Sequence, residues 1–94
     1  MAASKKDLFY FFVRKKPVMI LINLAKDGKL RYASVLSKEV DCTYSHTVRI
    51  LNMLQKHGLV KFDKKGRLKT VELTGTGKEI AKELQKAKIL FDNL

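Results

Sequence analysis

Acidic residues are scarce in this chain, and so are the residues that staple small domains together. Its 94 residues include nine Asp and Glu against twenty Lys and Arg, with one cysteine, one proline and no tryptophan. The single cysteine, Cys42, excludes an internal disulfide and fits a reducing interior. It also argues against structural zinc, which normally takes four ligands with several cysteines among them; Cys42, His46 and His57 fall short. Long apolar runs are missing as well. Leu8–Leu24 is broken by Arg14, Lys15, Lys16 and Pro17, leaving pieces too short to cross a bilayer, and no small-residue cleavage site follows a signal-like segment. The few carboxylates form no acid/base pair, no nucleophile triad assembles, and Gly75-Thr76-Gly77 lacks the spaced glycines and lysine of a phosphate loop. These absences predict a soluble cytoplasmic protein that is not an enzyme and carries no cofactor and no metal.

What is present is positive charge. The formal net charge is +11, an excess that repels itself in the compact state and therefore points to an anionic partner. Nucleic acid leads, with a membrane surface second. A thermophilic surface would be rich in Glu as well as Lys, and here the acids are few. The hydrophobic fraction of 46% supports one core, and the length leaves no room for another. The whole chain, 1–94, reads as a single domain.

Along the chain, residues 1–15 form an N-terminal segment whose aromatic run, Leu8–Val13, cannot be assigned to strand or helix by periodicity. Pro17 suits the first turn of a helix, and Val18–Leu24 is apolar nearly all round, which predicts a buried helix stopped by Asp27-Gly28. Lys29-Leu30-Arg31 reads as an extended link. A second helix runs from about Ala33 to Lys38, with Ala33, Leu36 and Val40 inward. Asp41-Cys42-Thr43 turns the chain, and Thr43 caps a third helix from Tyr44 to about Lys56, ended by His57-Gly58. A hairpin over 59–73 follows, its basic tip Lys64-Lys65-Gly66-Arg67 turned by the glycine. Thr74 then caps a last helix over 75–94.

The third helix divides sharply. At 100° per residue, Thr47, Ile50, Leu51 and Leu54 share a stripe bordered by Val48, while Ser45, Arg49, Asn52 and Lys56 lie opposite with His46 and Met53 alongside. An ordinary solvated face mixes Glu with Lys, but this one holds no acid. Arg can read guanine, Asn adenine, and Ser base edges or phosphates. A short helix, a tight turn and then this helix make a helix-turn-helix, and a hairpin directly after the reading helix projects as a wing whose lysines and arginine meet phosphates or the minor groove.

Leu36–Val60 (LSKEVDCTYSHTVRILNMLQKHGLV), the basic hairpin and Val71-Glu-Leu-Thr-Gly-Thr-Gly77 together resemble a winged-helix transcription regulator, of the MarR-like group and the small archaeal winged-helix regulators. The resemblance covers about Val18 to Leu84. Leu54-Gln-Lys-His-Gly-Leu-Val60 matches the lead from reading helix to wing, and Leu73-Thr74-Gly75-Thr76-Gly77 matches a Leu-Thr-x-x-Gly opening of the following helix. It implies that Ser45, His46 and Arg49 face DNA and that Arg67 is a wing contact. Full-length MarR-like proteins carry further terminal helices that build a dimer and a ligand pocket. This chain is shorter, which counts against a small-molecule effector, and its short wing favours phosphate contact over minor-groove insertion.

The expected fold is therefore α+β, mainly α: a winged helix-turn-helix with a three-helix core, a hairpin wing and an extra C-terminal helix. The expected partner is double-stranded DNA in the nucleoid, contacted by Thr43, Tyr44, Ser45, His46, Arg49, Asn52 and Lys56 on the helix and by Lys64, Lys65 and Arg67 on the wing. The last helix repeats Ile80, Leu84, Ala87, Phe91 and Leu94 at helical spacing, widened by Ile89 and Leu90. Folded back, it would cover its own core. The alternative preferred here is a two-fold homodimer through Leu84, Ala87, Phe91 and Leu94, helped by Phe9, Phe11 and Phe12. Two rival functions stay open, a DNA-coating architectural protein and a protein-interaction adaptor.

Overall fold

Apolar spacing accounts for most of the architecture of the computed structural model, which describes residues 14–26, 30–65 and 68–94. Helix α1 (Lys15–Ala25) is followed by strand β1 (Arg31–Tyr32), helix α2 (Ala33–Glu39) and helix α3 (Tyr44–Lys56). Strands β2 (Val60–Lys65) and β3 (Leu68–Leu73) lead to the long helix α4 (Gly75–Asp92). The expected α+β class and helix order hold. Leu8–Val13, with Phe9, Phe11 and Phe12, and the Asp27-Gly28 stop lie outside the described residues.

Two expectations need correction. Helix α1 is not buried all round: Pro17, Ile20, Leu21 and Leu24 are covered, whereas Val18, Met19 and Ile22 are half-buried. Its described neighbours are α2, β3 and α4, and Met19 and Ala25 pack against the core at the margin of the buried stripe. The extended link, in turn, contains a strand. Arg31 pairs with Val71 and Tyr32 with Thr70, so the sheet is three-stranded and antiparallel in the order β1-β3-β2. Two residues carry no period of their own; the open edge of β3 supplies the partner that makes them a strand.

In the wing, the register runs from Val60 opposite Leu73 to Lys65 opposite Leu68, which leaves positions 66 and 67 as a two-residue connection. Only its base is in the core: Val60, Val71 and Leu73 are buried, Phe62 is half-buried, and Lys61 meets Glu72 across the strands at 3.3 Å. A single cluster joins these residues to Ile20, Leu21 and Leu24 of α1, Leu36 of α2, Ile50, Leu51 and Leu54 of α3, and Ala81 of α4. Burying a Leu or Ile side chain contributes roughly 1.5–3 kcal/mol, so this shared cluster, not the isolated helices, fixes the arrangement.

The junction of α3, β2 and α4 is tight. Thr74 donates its hydroxyl to the Gly58 carbonyl at 2.6 Å, donates its N–H to the Leu59 carbonyl at 3.0 Å, and accepts from the Gly77 N–H at 3.0 Å. A Cβ at position 77 would stand 1.9 Å from the Leu59 carbonyl oxygen. Gly77 is therefore a packing glycine, which gives the Leu-Thr-x-x-Gly spacing a steric cause.

Candidate nucleic-acid interface

The candidate interface starts at the turn that aims α3. Helix α2 stops at Glu39 and α3 begins at Tyr44. Between them Asp41 adopts a left-handed conformation (φ 52°), which Asp tolerates better than most side chains. The Cys42 N–H donates to the Ser37 carbonyl at 2.9 Å. From outside the motif, Lys16 donates its Nζ to the carbonyls of Val40 and Asp41, both at 2.8 Å. A cation on the carbonyls that end a helix is favourable to the helix dipole as well as to the hydrogen bonds. Lys16 thereby ties α1 to the angle between α2 and α3. Nothing in the sequence marks it, because its partners lie 24 and 25 positions away.

Helix α3 matches its expected division. Thr43 caps it, its hydroxyl accepting from the His46 N–H at 3.2 Å. Thr47, Ile50, Leu51 and Leu54 are all buried, and Val48 is half-buried at the border. Thr43, Tyr44, Ser45, His46, Arg49, Asn52 and Lys56 are exposed together, with Met53 half-buried beside them. No acid occurs between Cys42 and Phe62, so this face is positive without internal neutralisation. Among the described residues Arg49 has no acidic partner, and its guanidinium is available to a ligand.

The wing leaves from the far end of α3. Lys64 and Lys65 are the last two residues of β2, while Gly66 and Arg67 lie outside the described residues. Lys64 stands in register opposite Lys69. Lys69 has its ammonium 4.1 Å from the centre of the Phe62 ring, a cation–π contact that fixes this charge on the wing. No period along the chain signals that cross-strand contact.

The last helix is exposed over its final turns. Leu84 and Ile80 are half-buried against the core, Ala87 is exposed, and Ile89, Leu90, Phe91 and Leu94 are exposed at 58, 71, 73 and 99%. No group of three or more His, Cys, Asp or Glu among the described residues could hold a metal, and no described helix is long and apolar enough to cross a membrane.

This arrangement of helix, turn, reading helix and hairpin is a winged helix-turn-helix. By sequence, no family model and no curated protein matches the chain. Solved structures do match. A protein of Archaeoglobus fulgidus, AF1382, superposes with a TM-score of 0.83 at 20% identity, over 93% of this chain and 99% of that one. A transcriptional regulator homologue of Pyrococcus horikoshii gives 0.73 at 27%, over 89% of this chain and 87% of that one. A MarR family transcriptional regulator of Silicibacter pomeroyi also gives 0.73, at 21%, over 93% of this chain but 63% of that one. The chain thus spans less than two thirds of that regulator's length. Its structural neighbours accordingly include a MarR family transcriptional regulator and an archaeal transcriptional regulator homologue, and the likeness shows the fold.

Proposed function

We propose that the chain is a DNA-binding transcription regulator that reads a sequence in double-stranded DNA as a homodimer, with α3 in the major groove and the wing on the flanking backbone. The observation that carries this reading is the exposed, acid-free face of α3. A helix of 13 residues, buried along one stripe and presenting Ser45, Arg49 and Asn52 outward, offers donors and acceptors suited to base edges. The wing supports a backbone contact through the charge of Lys64 and Lys69, which stand in register on its two strands. Lys65 and Arg67 add charge to the same hairpin. The transcriptional regulators among the neighbours support the class.

The exposed apolar end of α4 supports the dimer. Ala87, Phe91 and Leu94 would meet their counterparts, with Leu84 at the margin and Phe9, Phe11 and Phe12 contributing from the N-terminal segment. A two-fold dimer sets two reading helices about one DNA turn apart, on a pseudo-palindromic site.

The test is fluorescence anisotropy on labelled genomic duplexes, with salt titration and random-duplex competition. Competitor-resistant binding to a subset, with a steep salt dependence, is expected of a sequence-specific regulator. Binding that random DNA fully competes away would identify a DNA-coating protein. No binding near physiological salt would turn the basic surface toward a protein partner.

A further inference from the structure

Positive charge outside α3 and the wing gathers at the start of α1. Arg14, Lys15 and Lys16 line, together with Pro17, His46 and Ile50, a surface cleft of about 180 Å³ between the beginning of α1 and the beginning of α3. Lys16 is committed to the Val40 and Asp41 carbonyls. Arg14, Lys15 and His46 are exposed. Among the described residues, Arg14 and Lys15 make no hydrogen bond or ion pair, and no acid lines the cleft. Cations crowded around one concavity repel each other, and among the described residues no acid at the cleft offsets that repulsion.

The position of the cleft indicates which anion would. His46 belongs both to the cleft and to the exposed face of α3, so the two surfaces are continuous. The wing departs from the opposite end of the same helix, about 20 Å away at 1.5 Å per residue. A duplex lying along α3 would therefore run past the wing at one end and past the cleft at the other. We infer that Arg14 and Lys15, with His46 beside them, form a second backbone contact that holds DNA phosphates at the end of the reading helix opposite the wing. The inference rests on the proposed function, and it enlarges the contact surface beyond helix and wing to α1.

The test uses the full chain and the duplex that it binds most tightly. In the Arg14→Gln/Lys15→Gln variant, which removes two cations from each protomer of the dimer, the slope of log affinity against log salt becomes shallower by roughly two to four. Its preference for cognate over random duplex and its melting temperature stay as in the wild type. Ethylation interference loses the phosphates at the matching flank of each half-site. A Lys82→Gln/Lys86→Gln variant, which removes the same charge from α4, leaves slope and interference pattern unchanged. An equal fall in slope in both variants, or an unchanged slope and pattern in the first, would overturn the second contact while leaving the proposed function standing. Failure of the wild type to bind any duplex would overturn both.

Discussion

Helices α3 and α4 obey the same local rules and end in opposite situations. Each opens on a threonine whose hydroxyl accepts the N–H three residues on, His46 in one and Gly77 in the other. Each is amphipathic at helical spacing. Yet α3 buries four side chains and shows solvent a polar, basic face, whereas α4 buries only Gly77 and Ala81 and shows solvent Ile89, Leu90, Phe91 and Leu94. The difference teaches that periodicity tells which face is apolar, and not whether the chain has anything to put against it. A polar outer face with no acid suits a charged partner, and an apolar outer face suits another apolar surface.

The strongest way to break the comparison is to detach α4 while sparing α3. Gly77→Val forces side-chain atoms into the Leu59 carbonyl and is expected to cost at least about 3 kcal/mol. Thermal unfolding followed by circular dichroism should show a fall of more than about 10 °C. At Gly75, two residues earlier in the same cap, nothing lies within 4 Å of an added Cβ. Gly75→Ala should leave the midpoint unchanged or slightly raised; equal losses at both positions would contradict the packing role of Gly77.

The exposed ends separate next. Phe91→Glu places a charge in the proposed two-fold contact and should weaken self-association by about 30-fold, the equivalent of one 2 kcal/mol anchor. Sedimentation equilibrium reads this directly, and a monomeric wild type would remove the dimer altogether. On α3, Arg49→Ala should lower affinity for the cognate duplex by roughly 10- to 100-fold while leaving random-duplex binding nearly intact. Equal losses on both duplexes would reassign Arg49 to the backbone.

Two smaller changes probe how α3 is held. Lys16→Met removes the link from α1 to the Val40 and Asp41 carbonyls, and should cost about 1–2 kcal/mol in urea unfolding. A negligible loss would mean that the turn holds its angle unaided. Thr47 is fully buried, and among the described residues its hydroxyl has no hydrogen-bond partner. Thr47→Val keeps the shape, removes a buried unpaired hydroxyl and should stabilise the chain by about 1 kcal/mol; destabilisation would reveal a partner for that oxygen.

Much of the candidate site was legible because α3 is a self-contained pattern. Thr43 before it, His57-Gly58 after it and four apolar positions on one stripe define the helix, and the geometry of a helix then dictates which residues face out. The α4 cap was legible for the same reason. Strand β1 was not, because two residues acquire their conformation only from pairing with β3 opposite Val71 and Thr70. The all-round apolarity of α1 was misleading, since it overstates the cover that neighbouring elements provide. Lys16 and the Lys69–Phe62 contact escaped notice because long-range and cross-strand contacts leave no period.

Local pattern thus settled where α2, α3 and α4 begin, the polarity of their faces and the excess of positive charge. Those properties follow from nearest neighbours along the chain and from composition. Tertiary structure alone decided that β1 completes the sheet, that Lys16 braces the turn before α3, that Gly77 packs on Leu59, and that Arg14 and Lys15 stand beside His46. Each of these joins residues far apart or in different elements, and such contacts exist only once the shared core has brought the elements together.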